Sequence, residues 1–215
     1  RDGTFGATGG NAVRCLGKYL YDSGTVKKDA MTVETPAGIV ELKLYTSSGE
    51  VSFVTANMGA ADFSPAAVPV KTEKTRVVDM PYEIAGKTYD ITCLSVGNPH
   101  CVVFVDRVDR VDIENIGPLF ENAPIFPERT NTEFVRAVNK NMLKMRVWER
   151  GNGETYACGT GACAAAAAAV EIGLCRRNEP ITVKVRGGDL TVTVTDNGIL
   201  LTGDTVRTFG GTVRF

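Results

Sequence analysis

One unit, a small-residue turn followed by a helix and a β-hairpin, occurs twice in this chain, and the repetition restricts the fold to one assembled from two matching halves. The first copy opens Gly9-Gly10-Asn11-Ala12-Val13-Arg14-Cys15 and runs to a glycine stop at Gly24. The second opens Cys158-Gly159-Thr160-Gly161-Ala162-Cys163, continues through six alanines and stops at Gly173. Each has room for about three helical turns before its glycine C-cap. The segments beyond the two helices match as well. Thr32-Val33, Ala37-Gly38, the alternating Val40, Leu42 and Leu44 and the turn Ser48-Gly49 correspond to Thr182-Val183, Gly187-Gly188, the alternating Leu190, Val192 and Val194 and the turn Asn197-Gly198, an offset of 149 to 150 residues. Period-2 alternation beside turn residues predicts a hairpin in each copy.

The second copy and the polar loop before it carry the chemistry. Trp148-Glu149-Arg150-Gly151-Asn152-Gly153-Glu154-Thr155 leads into Cys158 at the start of the alanine-rich helix. A helix that starts with Gly and Thr leaves its first N–H groups uncovered, so an anion can dock against the positive end of the dipole. A thiol at that rim is expected to have a lowered pKa, because the dipole and the free N–H groups favour the thiolate. The bland alternative is an inert buried cysteine beside a close packing contact. Gly159-Thr160-Gly161-Ala162-Cys163-Ala164 also fits a dinucleotide fingerprint, with Glu179 placed for a ribose contact. Hairpin signals downstream, in place of further βαβ units, argue against it. No Gly-Lys-Ser/Thr comes after the turn, which excludes a P-loop.

The copies are unequal in what precedes them. Strand-like segments at Thr75 to Met80, Lys87 to Val96, Cys101 to Val108, Thr132 to Val138 and Met142 to Glu149 lead to the second helix, whereas eight residues precede the first turn. Equal copies would need roughly 70 further residues in the first half, a size that ordinary domains allow, so the first half is expected to be truncated at its start. Gly59 to Thr72, with Pro65 and Pro69, is the expected crossing between halves. The division is residues 1–72 for the remainder of the N-terminal lobe, with 207–215 returning to it, and 73–206 for the C-terminal lobe.

A formal net charge of -1 provides no field to draw nucleic acid. The longest apolar run is mostly alanine and far short of the about 20 residues a membrane span requires, and no signal-peptide pattern opens the chain. Six cysteines with no CxxC spacing and one histidine argue against a zinc site. Reduced thiols in a cytoplasmic protein are the simplest reading.

Two halves related by a pseudo-twofold can aim two helix N-termini at one ligand. An α-carboxylate held from both sides would stabilise a carbanion beside it, since the charge moves onto the carboxylate oxygens. Cysteines on opposite faces of the α-carbon would then serve as base and acid and invert the centre without a cofactor.

Gly10-Asn11-Ala12-Val13-Arg14-Cys15, Gly97-Asn98-Pro99-His100-Cys101-Val102, Asn131-Thr132-Glu133-Phe134, Trp148-Glu149-Arg150-Gly151 through Glu154-Thr155, and Ala157-Cys158-Gly159-Thr160-Gly161-Ala162 resemble the diaminopimelate epimerase family, in the right order and over nearly the whole chain from Asp2. The resemblance implies an α/β (α+β) fold of two pseudo-symmetric lobes, each a barrel-like sheet around a central helix. It also implies pyridoxal-independent interconversion of LL- and meso-diaminopimelate in lysine and peptidoglycan precursor synthesis. No cofactor or metal is implied. The partner is the small-molecule substrate, with no nucleic acid or membrane, and a homodimer is expected, in the cytoplasm or in a plastid if the source is a plant.

By the same resemblance Cys158 is a catalytic cysteine. Gly159 and Thr160, like Gly10 and Asn11, supply carboxylate-binding amides. Asn98 and Asn131 bind substrate, Arg150 grips the distal carboxylate, and Glu149 meets an ammonium or assists Cys158. His100 assists the other cysteine. That cysteine is absent, for Gly9 stands in its place, and Cys15 lies about a turn and a half further along the helix. The two-base mechanism then lacks one partner, and this polypeptide is expected to be a poor or inactive epimerase. The alternatives are a non-catalytic amino-acid or anion-binding relic of the fold and a related racemase or dehydratase with one cysteine.

Overall fold

A computed structural model describes residues 9–212. Residues 1–8 and 213–215, which include the start of the family resemblance and the end of the expected C-terminal return, lie outside the described residues. The helices are α1 (Gly10–Asp22), α2 (Ile113–Glu121) and α3 (Gly159–Glu171). The strands are β1 (Ala30–Thr35), β2 (Gly38–Ser47), β3 (Glu50–Asn57), β4 (Met80–Ile84), β5 (Lys87–Ser95), β6 (Pro99–Phe104), β7 (Asn131–Asn139), β8 (Met142–Glu149), β9 (Gly153–Thr155), β10 (Pro180–Val185), β11 (Gly188–Thr195) and β12 (Gly198–Asp204).

All twelve strands belong to one hydrogen-bonded sheet in the order β1-β2-β3-β12-β11-β10-β8-β7-β6-β5-β4, with β9 paired to β8. Its first six positions read the same from either end once the repeat is applied. Val33 faces Val40 and Met31 faces Leu42, as Val183 faces Leu190 and Ile181 faces Val192. The copies therefore share one register and meet at the antiparallel β3–β12 pair, where the Thr55 and Thr202 hydroxyls lie 2.6 Å apart. A local twofold between these strands results from that order.

The alanine run explains how α3 sits. Ala162 to Ala169 are all at most 3% exposed, so α3 is apolar all round and behaves as a core helix. Strands β5 to β8 and β10 to β12 contact it. Its small side chains let the sheet approach from every side, whereas α1 packs mainly on β2 and β3. A second core fills the opposite face of β4 to β7 beneath α2, with Phe120 edge-on to Tyr89 and Phe134.

Two readings of the sequence are corrected. Thr75 to Met80 is not a strand. Asp79 turns with a φ of +48°, Val77 is an apolar anchor whose carbonyl takes one N–H from Cys93, and the strand starts at Met80. Helix α2 lies between the strand-like segments ending at Val108 and starting at Thr132, where no helix was expected. The Gly117 position lies against the Trp148 ring, where an added Cβ would stand 2.4 Å from the indole. Parallel neighbours flank two of the helices, β6 and β7 joined through α2 and β8 and β10 through α3, while downstream of α3 the strands β10, β11 and β12 pair antiparallel, as the hairpin signals indicate.

Candidate active site

The strand parities place the chemistry on one face. Along β8, Leu143, Met145 and Val147 point into the core around α3 and Trp148 points into the other, so Glu149 shares the α3 face. On β7, Val135 faces α3 and Phe134 faces away, which puts Glu133 on the α3 side. Val102 of β6 does the same for His100. Alternation along three neighbouring strands thus gathers Glu149, Glu133 and His100 beside the start of α3.

Cys158 is the N-cap of α3, in extended conformation at φ -123° and ψ 114°. Its Sγ accepts from the Gly161 N–H at 3.3 Å and lies 3.4 Å from Thr160 Oγ1. The Gly159 and Thr160 N–H groups have no partner among the described residues. Gly9 caps α1 with nearly the same backbone, φ -109° and ψ 107°, and no side chain. The helix starts are in contact: a Cβ on Gly159 would lie 3.3 Å from the Gly10 Cα, and one on Gly10 would lie 2.7 Å from Leu201 Cδ2. A side chain at either position would crowd that approach. Asn11 is beside it, its Oδ1 accepting from Arg14 Nη2 at 3.0 Å.

The expected lowering of the Cys158 pKa is overturned: its thiol is pushed up to about 12. Burial is the largest cause, and the charges of Glu149 and Glu133 add to it, while the bonds from Thr160 and Gly161 oppose it. The helix terminus favours the thiolate, but loss of water and two carboxylates outweigh it. Cys158 therefore rests as a thiol.

Glu149 Oε1 accepts from Thr155 Oγ1 across the β8–β9 hairpin at 2.5 Å. Asn131 is buried and uses both ends of its amide as a brace, Nδ2 donating to the Pro99 carbonyl at 2.7 Å and Oδ1 accepting from the Arg150 N–H at 2.9 Å. The Arg150 guanidinium donates to the Glu128 carbonyl at 3.0 Å. His100 is fully buried between Glu133 Oε1, 2.7 Å from Nδ1, and Asn98 Oδ1, 2.9 Å from Nε2.

Two residues without a role in the sequence reading belong to this framework. Glu133 lies so close under α3 that a Cβ on Gly161 would come within 2.7 Å of its Oε1. Glu121 of α2 accepts from Trp148 Nε1 at 2.7 Å, the Gly151 N–H at 2.9 Å and Arg129 Nη1 at 3.1 Å, tying down the turn after Glu149 and Arg150. A carboxylate inside a strand was visible for Glu133. The missed α2 hid Glu121. A cavity of about 530 Å³ opens beside Asn11, Arg14, Ala157 and Gly203. The described residues contain no cluster of three or more His, Cys, Asp or Glu suited to a metal, and no helix among them is long and apolar enough to cross a membrane.

The family model for diaminopimelate epimerase matches residues 92–208. A diaminopimelate epimerase of Desulfovibrio desulfuricans is 44% identical over 98% of this chain and 75% of its own length. One from Acetivibrio thermocellus is 45% identical over 99% of this chain and 76% of its own. Among solved structures, a protein described as a probable proline racemase from Agrobacterium radiobacter K84 aligns with a TM-score of 0.74 at 16% identity, covering 100% of this chain and 70% of that one. A hydroxyproline epimerase from Agrobacterium vitis gives 0.71 at 15% identity, over 95% and 65%. At such identities the structural likeness is one of fold.

Proposed function

Because the chain belongs to the diaminopimelate epimerase family, we propose that the abutting starts of α1 and α3 hold the α-carboxylate of diaminopimelate while Cys158 exchanges a proton with its α-carbon. The reaction is epimerisation of diaminopimelate between its LL and meso forms. The observation that carries the site assignment is the contact between Gly10 and Gly159. It brings two sets of helix-terminal amides to one place, with a thiol at the rim of one of them.

In this reading the Cys158 thiolate takes the α-proton, the electron pair delocalises into the carboxylate, and the amides stabilise the added charge. A resting thiol must first give up its proton to solvent water as the ligand enters. The substrate ammonium beside Glu149 would offset one of the two charges that hold the thiol up. Arg150 is read as the grip on the distal carboxylate, through guanidinium N–H groups not used at Glu128.

Inversion needs a second proton donor on the other face, and position 9 supplies none. The side-chain-free Gly9 supports a second reading, that this chain binds its ligand without inverting it. Incubation with LL-diaminopimelate in deuterium oxide separates these outcomes, with mass spectrometry for label and chiral chromatography for inversion. Deuterium uptake with little meso product is expected. Inversion at the rate of a two-cysteine relative would refute the assignment of position 9, and binding without label would make the protein a non-catalytic module.

A further inference from the structure

We propose that Glu133 is a positioning residue which, through His100, fixes the side-chain amide of Asn98 with its NH2 group towards the ligand. The inference rests on the reading of Asn98 as a ligand contact, and it adds two buried groups that set what Asn98 displays.

The argument is a proton count along one hydrogen-bonded chain. Glu133 is 0% exposed, and its Oε1 lies 2.7 Å from His100 Nδ1. Its Oε2, also buried, has no hydrogen-bond partner among the described residues. The imidazole is equally buried, and its Nε2 lies 2.9 Å from Asn98 Oδ1. An amide oxygen only accepts, so Nε2 must carry a hydrogen there; two lone pairs would otherwise face each other at hydrogen-bond distance. One more proton is then shared between Nδ1 and Glu133. Whether it resides on the ring or on the carboxyl group, Nε2 remains a donor. A residue unable to share that proton would release the ring to its other tautomer, with a bare Nε2, and the Asn98 amide would turn to offer it NH2 and show oxygen to the site.

Geometry supports the direction. Asn98 is only half-buried, and its Nδ2 has no partner among the described residues. Its oxygen is therefore occupied on the protein side and its two donors are free. Donors suit an anionic carboxylate, whereas an amide oxygen would repel it. Glu133 is also held in place: it lies under the first turn of α3, in space that a side chain at position 161 would take.

His100 is the only histidine in the chain, so long-range ¹H–¹⁵N spectra of the ligand-free protein read its ring nitrogens without assignment work. Nε2 is expected to carry its hydrogen in the ligand-free protein, and a bare Nε2 overturns the proposal. In Glu133→Gln, the amide presents both a donor and an acceptor to Nδ1. Both neutral tautomers should then populate, and with about half of the molecules showing the wrong end of the amide the Kd for diaminopimelate by calorimetry should rise about twofold. In Asn98→Asp, a carboxylate still accepts from Nε2, so the histidine signal should persist while affinity falls by at least as much. Full Nε2 protonation with unchanged affinity in Glu133→Gln overturns the positioning role. Wild-type-like affinity in Asn98→Asp, beside the expected nitrogen shifts, instead defeats the reading of Asn98 as a ligand contact, and with it the ligand end of the relay.

Discussion

Replacing Gly9 with cysteine should convert a one-sided proton exchanger into an epimerase. The backbone already has the right form. Position 9 adopts an extended conformation within about 15° of that at Cys158 in both torsions, so an L residue enters without strain. A Cβ there would meet the Ala12 Cβ at 3.4 Å, an ordinary contact, with the Ala12 nitrogen at 4.0 Å. A thiol could thus accept from the Ala12 N–H as Cys158 accepts from the Gly161 N–H. Loss of glycine freedom in the unfolded chain should stabilise the protein by about 0.5 kcal/mol. A positioned acid or base contributes about 10² to 10⁴ in rate, and the gain in meso product from LL-diaminopimelate should fall in that range. Gly9→Ser and Gly9→Ala occupy similar space without a thiol and should gain nothing. The assay is chiral chromatography of the product, with deuterium uptake measured in parallel. A folded Gly9→Cys protein that binds substrate but inverts no faster than Gly9→Ala would refute the equivalence of the two helix starts.

Two further outcomes rest on named charges. Cys158 should resist iodoacetamide at pH 8, while exposed Cys15 is modified, and its labelling should rise with pH through 9.5 without a plateau; Glu149→Gln should accelerate it by removing a charge that disfavours the thiolate. Peptide mass mapping reads each site, and saturation near pH 7 would show that the helix terminus wins after all. Glu154 has its carboxyl pKa lowered, chiefly by hydrogen bonds from Arg146, so the stabilisation is present above the ordinary carboxylate range and lost as pH falls through the lowered value. Arg146→Met should therefore cost about 1 to 2 kcal/mol at pH 7, with the Tm difference from the native chain closing between pH 5 and 3; a constant difference would place the loss in packing.

Periodicity and repetition exposed the strands around each helix, because period-2 alternation and turn residues are local signals. Val33, Val40, Val183 and Leu190 could be paired on paper and are paired in the sheet. Helix α2 was obscured by Gly117-Pro118, although Ile113, Ile116 and Phe120 keep the helical spacing. Its glycine answers Trp148, more than thirty residues along the chain. Parallel pairing was hidden for a related reason: β8 and β10 become neighbours only because α3 crosses between them. Resemblance supplied the named site residues, but Glu133 draws its meaning from His100 on the adjacent strand. The state of Cys158 was misread because a helix terminus is visible in sequence and burial beside two carboxylates is not.

The contrast between the helix starts separates binding from turnover. The proposed anion-binding elements are backbone N–H groups, fixed by helix geometry and by the close approach of Gly10 and Gly159. No substitution at position 9 that keeps its extended conformation removes them. In the proposed reaction proton transfer depends on a sulfur atom at each cap, and the backbone holds its shape whether that atom is present or not, as Gly9 and Cys158 demonstrate. Cys158 is in addition restrained by Glu149 and Glu133, whose charges a bound ammonium can offset and an empty site cannot. Ligand affinity should consequently survive the loss of one thiol, while the remaining thiol becomes a base only with the ligand in place.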